Sequence, residues 1–531
     1  MKKLFLITAT VLLCQSQLWA IDFFQSTEGK VVGHNDLYDT VSYKGIPYAK
    51  PPIGTLRFKA PRPVEKRLFG LNAKAYKPTC LQIGNMFSVN DPAQLGKVVG
   101  SEDCLYLNIW SPKKTTTEKK PIFFWIHGGS NYKGTSSDPN YHGAYFAKNN
   151  DALFVSVNYR LGHFGAFYHP ALQSENALDS SGNFVTLDLI ESLKWIKKNA
   201  DALGADPNNI TIAGQSAGCM NVWGLIQSPL AKDLFHKAIC SAGLPNTYPT
   251  AVGTAKANLV IYKLIEQMGY AKNGEEFLKD KSNAWIQAFL QLVPADMIAK
   301  AETGIVPFQH YSDGAVLPKG GWFDVALGKY NHVPMIIGAT KDEFSAVGIF
   351  SFSKLSVEEL FNEMLNPNPN LKFEDIIKVN ETAYKAFIAT GNLAMHKTQD
   401  NVLNALKIYN NNLYRYHFNW DRLPTPWDSA LGALHGLDAI FYLGNFTTKE
   451  KNFSNFAWNE ENRESRERLR VKMSQYFKNF IHFGNPNGNS GSQTNLELSA
   501  DLPVWPRWSI IPFKDKRMYF DDEISISNDV L

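Results

Sequence analysis

The sequence predicts an α/β fold, a mostly parallel sheet covered by helices on both faces, and three observations predict it. Short apolar runs with the length of buried strands recur from about residue 121 onward. Helical stretches separate them, the clearest with apolar residues at every third position. Glycine-rich turns sit where the runs end, as strand-to-helix connections require. Strands covered on both faces read as unbroken apolar runs, and that marks parallel pairing.

Residues 21 to 115 read as short strands broken by turns such as Lys44-Gly45-Ile46-Pro47 and Lys50-Pro51-Pro52. Pro121 to Ile126 and Ala152 to Val157 are buried-strand runs. Leu187, Ile190, Leu193 and Ile196 then form the stripe of an amphipathic helix, with Gly204 beyond it. Lys194, Lys197 and Lys198 fall in its last turns and favour the negative end of the helix dipole. Ile210 to Ala213, Lys237 to Ser241 and Val333 to Gly338 continue the strand series, and Cys219 to Ile226 reads as helix. Residues 250 to 305 and 351 to 412 are helix-rich, as insertions around such a sheet would be. Asn366 to Asn370 and Asn485 to Ser492 are short and polar enough to be surface turns rather than linkers.

With 44% apolar and 20% charged residues, the chain has the composition of a globular protein and not of a disordered one. A net charge of +4 over 531 residues leaves no footprint for nucleic acid, and Lys2 and Lys3 supply half of it. Met1 to Ala20 reads as a secretory signal peptide: two lysines, the apolar run Leu4 to Leu13, and small Ala20 at the cleavage point. Leu13 before Cys14 is too bulky for a lipoprotein cleavage box. The mature chain, 21–531, is expected as one exported domain, secreted or periplasmic, without an integral membrane segment. Export permits disulfides, and Cys80, Cys104, Cys219 and Cys240 allow three complete pairings. No CxxC pair, HExxH or phosphate-binding GxxxxGK[ST] occurs, so neither a zinc site nor a nucleotide cradle has support.

The strongest local signal is Gly214-Gln215-Ser216-Ala217-Gly218, between the run ending at Ala213 and a helix. That is the setting of a nucleophile elbow, in which a sharp turn flanked by glycines holds a serine hydroxyl above the sheet. A serine hydroxyl needs a base and a third group to orient that base. In α/β-hydrolases the order is serine, acid, histidine. Lys341-Asp342-Glu343, after a strand run, supplies carboxylates, and His435 lies in the glycine-flanked loop Gly432-Ala433-Leu434-His435-Gly436. His127-Gly128-Gly129-Ser130 follows the run ending at Ile126 and can expose backbone N–H groups to an oxyanion.

Taken with these segments, the chain resembles the type-B carboxylesterases, the α/β-hydrolase group that includes cholinesterases. The likeness runs from about Phe24 to Ile526. It is carried by Glu102-Asp103-Cys104-Leu105-Tyr106-Leu107-Asn108, His127-Gly128-Gly129, Asn158-Tyr159-Arg160-Leu161-Gly162 and Gly182-Asn183. Ala205-Asp206-Pro207, the elbow, Asp342-Glu343, His435-Gly436 and Gly484-Asn485-Pro486-Asn487 complete it in family order. The resemblance implies an α/β-hydrolase fold with helical insertions around an active-site gorge. It also implies Ser216 as nucleophile, Glu343 as acid and His435 as general base and acid. The backbone N–H groups of Gly129, Ser130 and Ala217 would bind the oxyanion, and Cys80 and Cys104 would form the family's first disulfide. The implied reaction is acyl transfer from a small-molecule ester, with no cofactor or metal.

The chain departs from the family pattern in several places. Gln215 stands where many relatives carry Glu, and the loop between Cys80 and Cys104 has no Trp to bind a quaternary ammonium. Both departures point to neutral esters rather than cholinesterase substrates. Ser130 replaces a third glycine, and Phe344 follows Glu343 where glycine is usual, which leaves Asp342 as the fallback acid. Cys219 and Cys240 have no family counterpart and are expected as two small buried hydrophobes, with a second bridge as the alternative. The sequons at Asn209, Asn380, Asn445 and Asn452 are read as chance matches unless the source is eukaryotic. The rivals are a catalytically silent neuroligin-like adhesion protein and, with the same machinery, a lipase or amidase.

Overall fold

The computed structural model describes residues 22–89, 91–113, 118–305, 310–446, 452, 454–489, 497–509 and 516–528. The signal-peptide stretch 1–20 and parts of the sequons at Asn445 and Asn452 lie outside them. An 11-stranded sheet organises the fold. From one edge to the other its strands are Ser525–Ser527, Arg517–Phe520, Leu413–Phe418, Met335–Thr340, Lys237–Ser241, Ala205–Gln215, Lys120–Ile126, Leu153–Val157, Tyr106–Pro112, Thr40–Pro47 and His34–Asp36. From Arg517–Phe520 across to Leu153–Val157 every neighbouring pair is parallel, and the pairs outside that run are antiparallel. The sheet expected from the apolar runs is therefore present, with antiparallel edges formed by the N-terminal strands and the C-terminal hairpin.

Alternation along each strand builds two cores. Phe123, Trp125, Ala213 and Ile239 face one cluster, whereas Ile122, Phe124, Ile126 and Ile212 face the other. Helix Phe184–Asn199 buries Leu187, Ile190, Leu193 and Ile196, and the turn that follows it closes at Gly204. Helix Arg463–Phe483 closes the opposite face through Leu469, Met473, Phe477 and Phe480. The expected helical insertions are Thr250–Gln267 through Ala295–Ala301 and Val357–Leu365 through Glu381–Leu406.

Several of the shared segments are structural ties. Glu102 pairs with Arg57 at 2.7 Å, and Arg160 with Asp188 at 2.7 Å, both out of solvent. Asn108 accepts from the Gly45 N–H and donates to Ser136 and Ser156. Cys80 is bonded to Cys104. Cys219 is bonded to Cys240, which corrects the expectation of two separate hydrophobes. The first lies on the helix after the elbow and the second on the strand paired with the elbow strand, so the fold itself brings them together. The Asn209 and Asn445 amide groups donate to backbone carbonyls, and Asn380 caps a helix.

The order of the strands positions the site. Ala205–Gln215 lies beside Lys120–Ile126 in parallel register, with Gly214 opposite Ile126. Gln215 is in turn opposite Ser241, and Ser241 opposite Gly338. The loops that leave these strands at their C-terminal ends thus share one rim, where open α/β sheets place their ligands.

Candidate active site

Ser216 sits between strand Ala205–Gln215 and helix Ala217–Gln227 with φ 58° and ψ −124°. That backbone is strained for a side-chain-bearing residue. It is held by the Ser216 N–H, which donates to the Ser241 carbonyl at 2.8 Å. The flanking glycines do not serve by backbone conformation, since neither Gly214 nor Gly218 has positive φ; the turn is too sharp for side chains there, as the sequence predicts. The glycines provide clearance, since a Cβ on Gly218 would overlap the Ile126 carbonyl. Ala217 opens the helix, so its N–H has no carbonyl behind it in the helix to bond.

The loop after Ile126 turns sharply through Gly129, Ser130 and Asn131, all at positive φ (105°, 57° and 52°). Gly129 supplies what no other residue would tolerate there, and Ser130 fits the left-handed region a third glycine would have occupied. The turn is closed by the Tyr132 and Lys133 N–H groups on the Gly129 carbonyl. His127 is buried and hydrogen-bonds the Gly128 carbonyl at 2.8 Å; burial pushes its pKa down to about 4, so the ring is a neutral buttress. Asn131 and Asn221 exchange two amide hydrogen bonds, 2.9 and 2.7 Å, tying the loop to the helix after Ser216.

Glu343 lies just past strand Met335–Thr340 and is buried. Its Oε1 accepts from the Thr340 N–H at 2.7 Å and the Thr340 hydroxyl at 2.9 Å, and its Oε2 faces His435 Nδ1 in a short contact. Burial alone would raise this carboxyl, but the charge and hydrogen bond of His435 and the Thr340 donors leave it lowered. For His435, burial favours the neutral ring, yet the charge and hydrogen bond of Glu343, with Asp438 adding, leave the imidazole raised. Asp342, the fallback acid, is turned elsewhere: its Oδ2 accepts from the Ala433 N–H at 3.0 Å and pins the histidine loop through its backbone. Phe344 is accommodated because Gly391, on helix Glu381–Leu406, leaves its ring the space a Cβ would take.

Ser216, Glu343 and His435 line one cavity of about 640 Å³, together with Gly129, Ser130 and mostly apolar walls. The serine hydroxyl makes no hydrogen bond to His435 in this arrangement. His435 Nε2 instead faces the side-chain amide of Gln215 at 3.0 Å. In the sequence Gln215 counts only as a missing carboxylate; in the structure it touches the imidazole. Three further residues have no signal of their own in the sequence: Asn221, Gly391 and Asp438. Asp438 is fully buried and near enough to His435 to act on its charge; burial pushes the Asp438 pKa up to about 6, and it accepts a hydrogen bond from Tyr416.

A profile of the carboxylesterase family matches residues 24–521. The para-nitrobenzyl esterase of Bacillus subtilis is 36% identical over 326 residues, 59% of this chain, and the chain spans only about 61% of that relative's length. Carboxylesterase 1C of Mus musculus is 29% identical over 525 residues, covering 91% of this chain and 87% of the relative. Among solved structures, a Geobacillus stearothermophilus carboxylesterase superposes with a TM-score of 0.72 at 26% identity, over 95% of this chain and 97% of that one. Among the described residues no helix is long and apolar enough to cross a membrane.

Proposed function

The chain belongs to the carboxylesterase family of α/β-hydrolases, and on that premise we propose that it hydrolyses carboxylic esters by a Ser-His-Glu acyl-enzyme mechanism. The observation that carries the reading is the convergence of a strained serine, a carboxylate-bound imidazole and a turned glycine loop on one cavity. Ser216 is the nucleophile. His435 Nε2 exchanges the Gln215 amide for the serine hydroxyl and takes its proton as Oγ attacks the ester carbonyl. The N–H groups of Gly129, Ser130 and Ala217 receive the oxyanion, each worth on the order of 3 kcal/mol in comparable sites. His435 then protonates the leaving alcohol and, in the second half, takes a proton from the water that releases the acid. Glu343 stays ionised and holds the ring with Nδ1 protonated.

A cavity of about 640 Å³ suits small or medium substrates. Gln215 removes a negative charge that would attract a cation, so the esters are read as neutral or at least not cationic. Residues 21–531 are read as one catalytic domain exported behind the 1–20 leader, a reading that two disulfides support. Hydrolysis of p-nitrophenyl esters from acetate to palmitate by wild type and Ser216→Ala tests the proposal. Rapid turnover of short chains, lost in the variant, is expected. Equal rates would overturn the mechanism and leave the adhesion reading, and a preference for palmitate would favour a lipase.

A further inference from the structure

Among the described residues, three side chains able to carry charge at neutral pH line the cavity: Glu343, His435 and Lys133. The first two are engaged with each other. Lys133 is not: no carboxylate of the described residues lies within ion-pair distance of it, and its Nζ rests 4.9 Å from the ring centre of Phe87, another wall residue. A half-buried ammonium with only an aromatic face for company is an unusual arrangement, because charges withdrawn from water are normally paired. Burial also holds this lysine below its ordinary pKa, a cost that a bound anion would offset.

The backbone of Lys133 is held by the turn after Ile126. The Lys133 N–H donates to the Gly129 carbonyl at 2.9 Å, so the turn that presents Gly129 and Ser130 also anchors the lysine. The stem of Lys133 runs beside Gly129, 3.2 Å from where a Cβ would stand. An ester whose carbonyl occupies the turn therefore places its acyl or alcohol part within reach of one lysine side chain. Among the described residues, Gln215 in place of a carboxylate leaves Glu343 as the single acidic wall residue, and His435 is paired with it.

Building on the esterase reading above, we propose that Lys133 determines specificity by selecting esters that bear a second, anionic group, a carboxylate, on the acyl or the alcohol side. Two substrate pairs test it. Monoethyl adipate against ethyl hexanoate places the carboxylate on the acyl side. 4-Acetoxybenzoate against 4-methylphenyl acetate places it on the alcohol side.

The readout is the ratio of kcat/KM for the charged and uncharged members of each pair. Lys133→Met is expected to lower that ratio by about 10- to 100-fold in one pair, the worth of one charge-assisted hydrogen bond, with Lys133→Arg restoring most of it. The wild-type ratio should also fall as salt rises, which keeps the test open should Lys133→Met not fold. A ratio indifferent to both substitutions and to salt overturns the proposal while hydrolysis of the uncharged esters leaves the esterase reading standing. Failure of wild type to hydrolyse any of the four esters overturns the esterase reading, and this inference with it.

Discussion

Glu343→Gln removes the charge under His435 while keeping the size of the side chain. Glu343 Oε2 faces His435 Nδ1, and the other oxygen is taken by both Thr340 donors, so its removal leaves the ring only the smaller pull of Asp438 among the described residues. Two unit charges about 4 Å apart at an effective dielectric of ~20 interact by roughly 4 kcal/mol. The His435 side chain is 26% exposed, and water screens part of this. A lowered imidazole pKa is the expected result. The sign follows from the proposed role of His435, which serves as a base only when neutral. Its raised pKa means that activity is lost as pH falls through a value above the ordinary 6.5. Glu343→Gln should move that acid limb of kcat/KM to lower pH and depress the plateau on the order of 10³- to 10⁴-fold, since the glutamine no longer fixes the tautomer. The assay is the pH dependence of kcat/KM on p-nitrophenyl acetate, with Asp342→Asn as comparison. Asp342 touches the loop backbone and not the ring, so its variant should keep the limb in place. An unmoved limb in Glu343→Gln, or a displaced one in Asp342→Asn, would refute the assignment of the acid.

Three other perturbations have definite expected outcomes. Gln215→Glu puts a second carboxylate against His435 Nε2, so the acid limb should move to higher pH and activity on that limb should fall roughly in proportion to the loss of neutral imidazole; pH–rate profiles check it. Gly391→Ala forces a methyl into the Phe344 ring and should cost about 1–3 kcal/mol in urea unfolding, with the Phe344→Ala, Gly391→Ala double variant recovering part of the loss. Asn131→Ala strands the buried Asn221 amide, for a loss of about 1–3 kcal/mol, and loosens the oxyanion turn, which should appear as a fall in kcat larger than any rise in KM.

The strands and the elbow are legible in the sequence because each is a local pattern. Pro121–Ile126 and Val333–Gly338 are unbroken apolar runs, and the Gly-x-Ser-x-Gly turn lies between a strand run and a helix. Order along the chain and resemblance then single out Glu343 and His435 from 50 acids and 12 histidines. What escapes is set by contacts between distant segments. The Asn131–Asn221 exchange needs the oxyanion loop and the elbow helix side by side, and either asparagine alone looks like any polar residue. Phe344 looks like a misfit until Gly391, on a helix far along the chain, is seen to make room for it. Cys219 and Cys240 become partners because the elbow strand pairs with the strand that carries Cys240. Gln215 reads as an absence in sequence and as a neighbour of the imidazole in space.

The central claim is that Ser216 is an activated nucleophile. Reaction with a fluorophosphonate, followed by mass spectrometry of the labelled peptide, tests it without any assumption about the natural ester. One covalent adduct on Ser216 in wild type, absent in Ser216→Ala and strongly slowed in Glu343→Gln, is the predicted result. Equal labelling of wild type and Ser216→Ala, or an adduct on another residue, would contradict it.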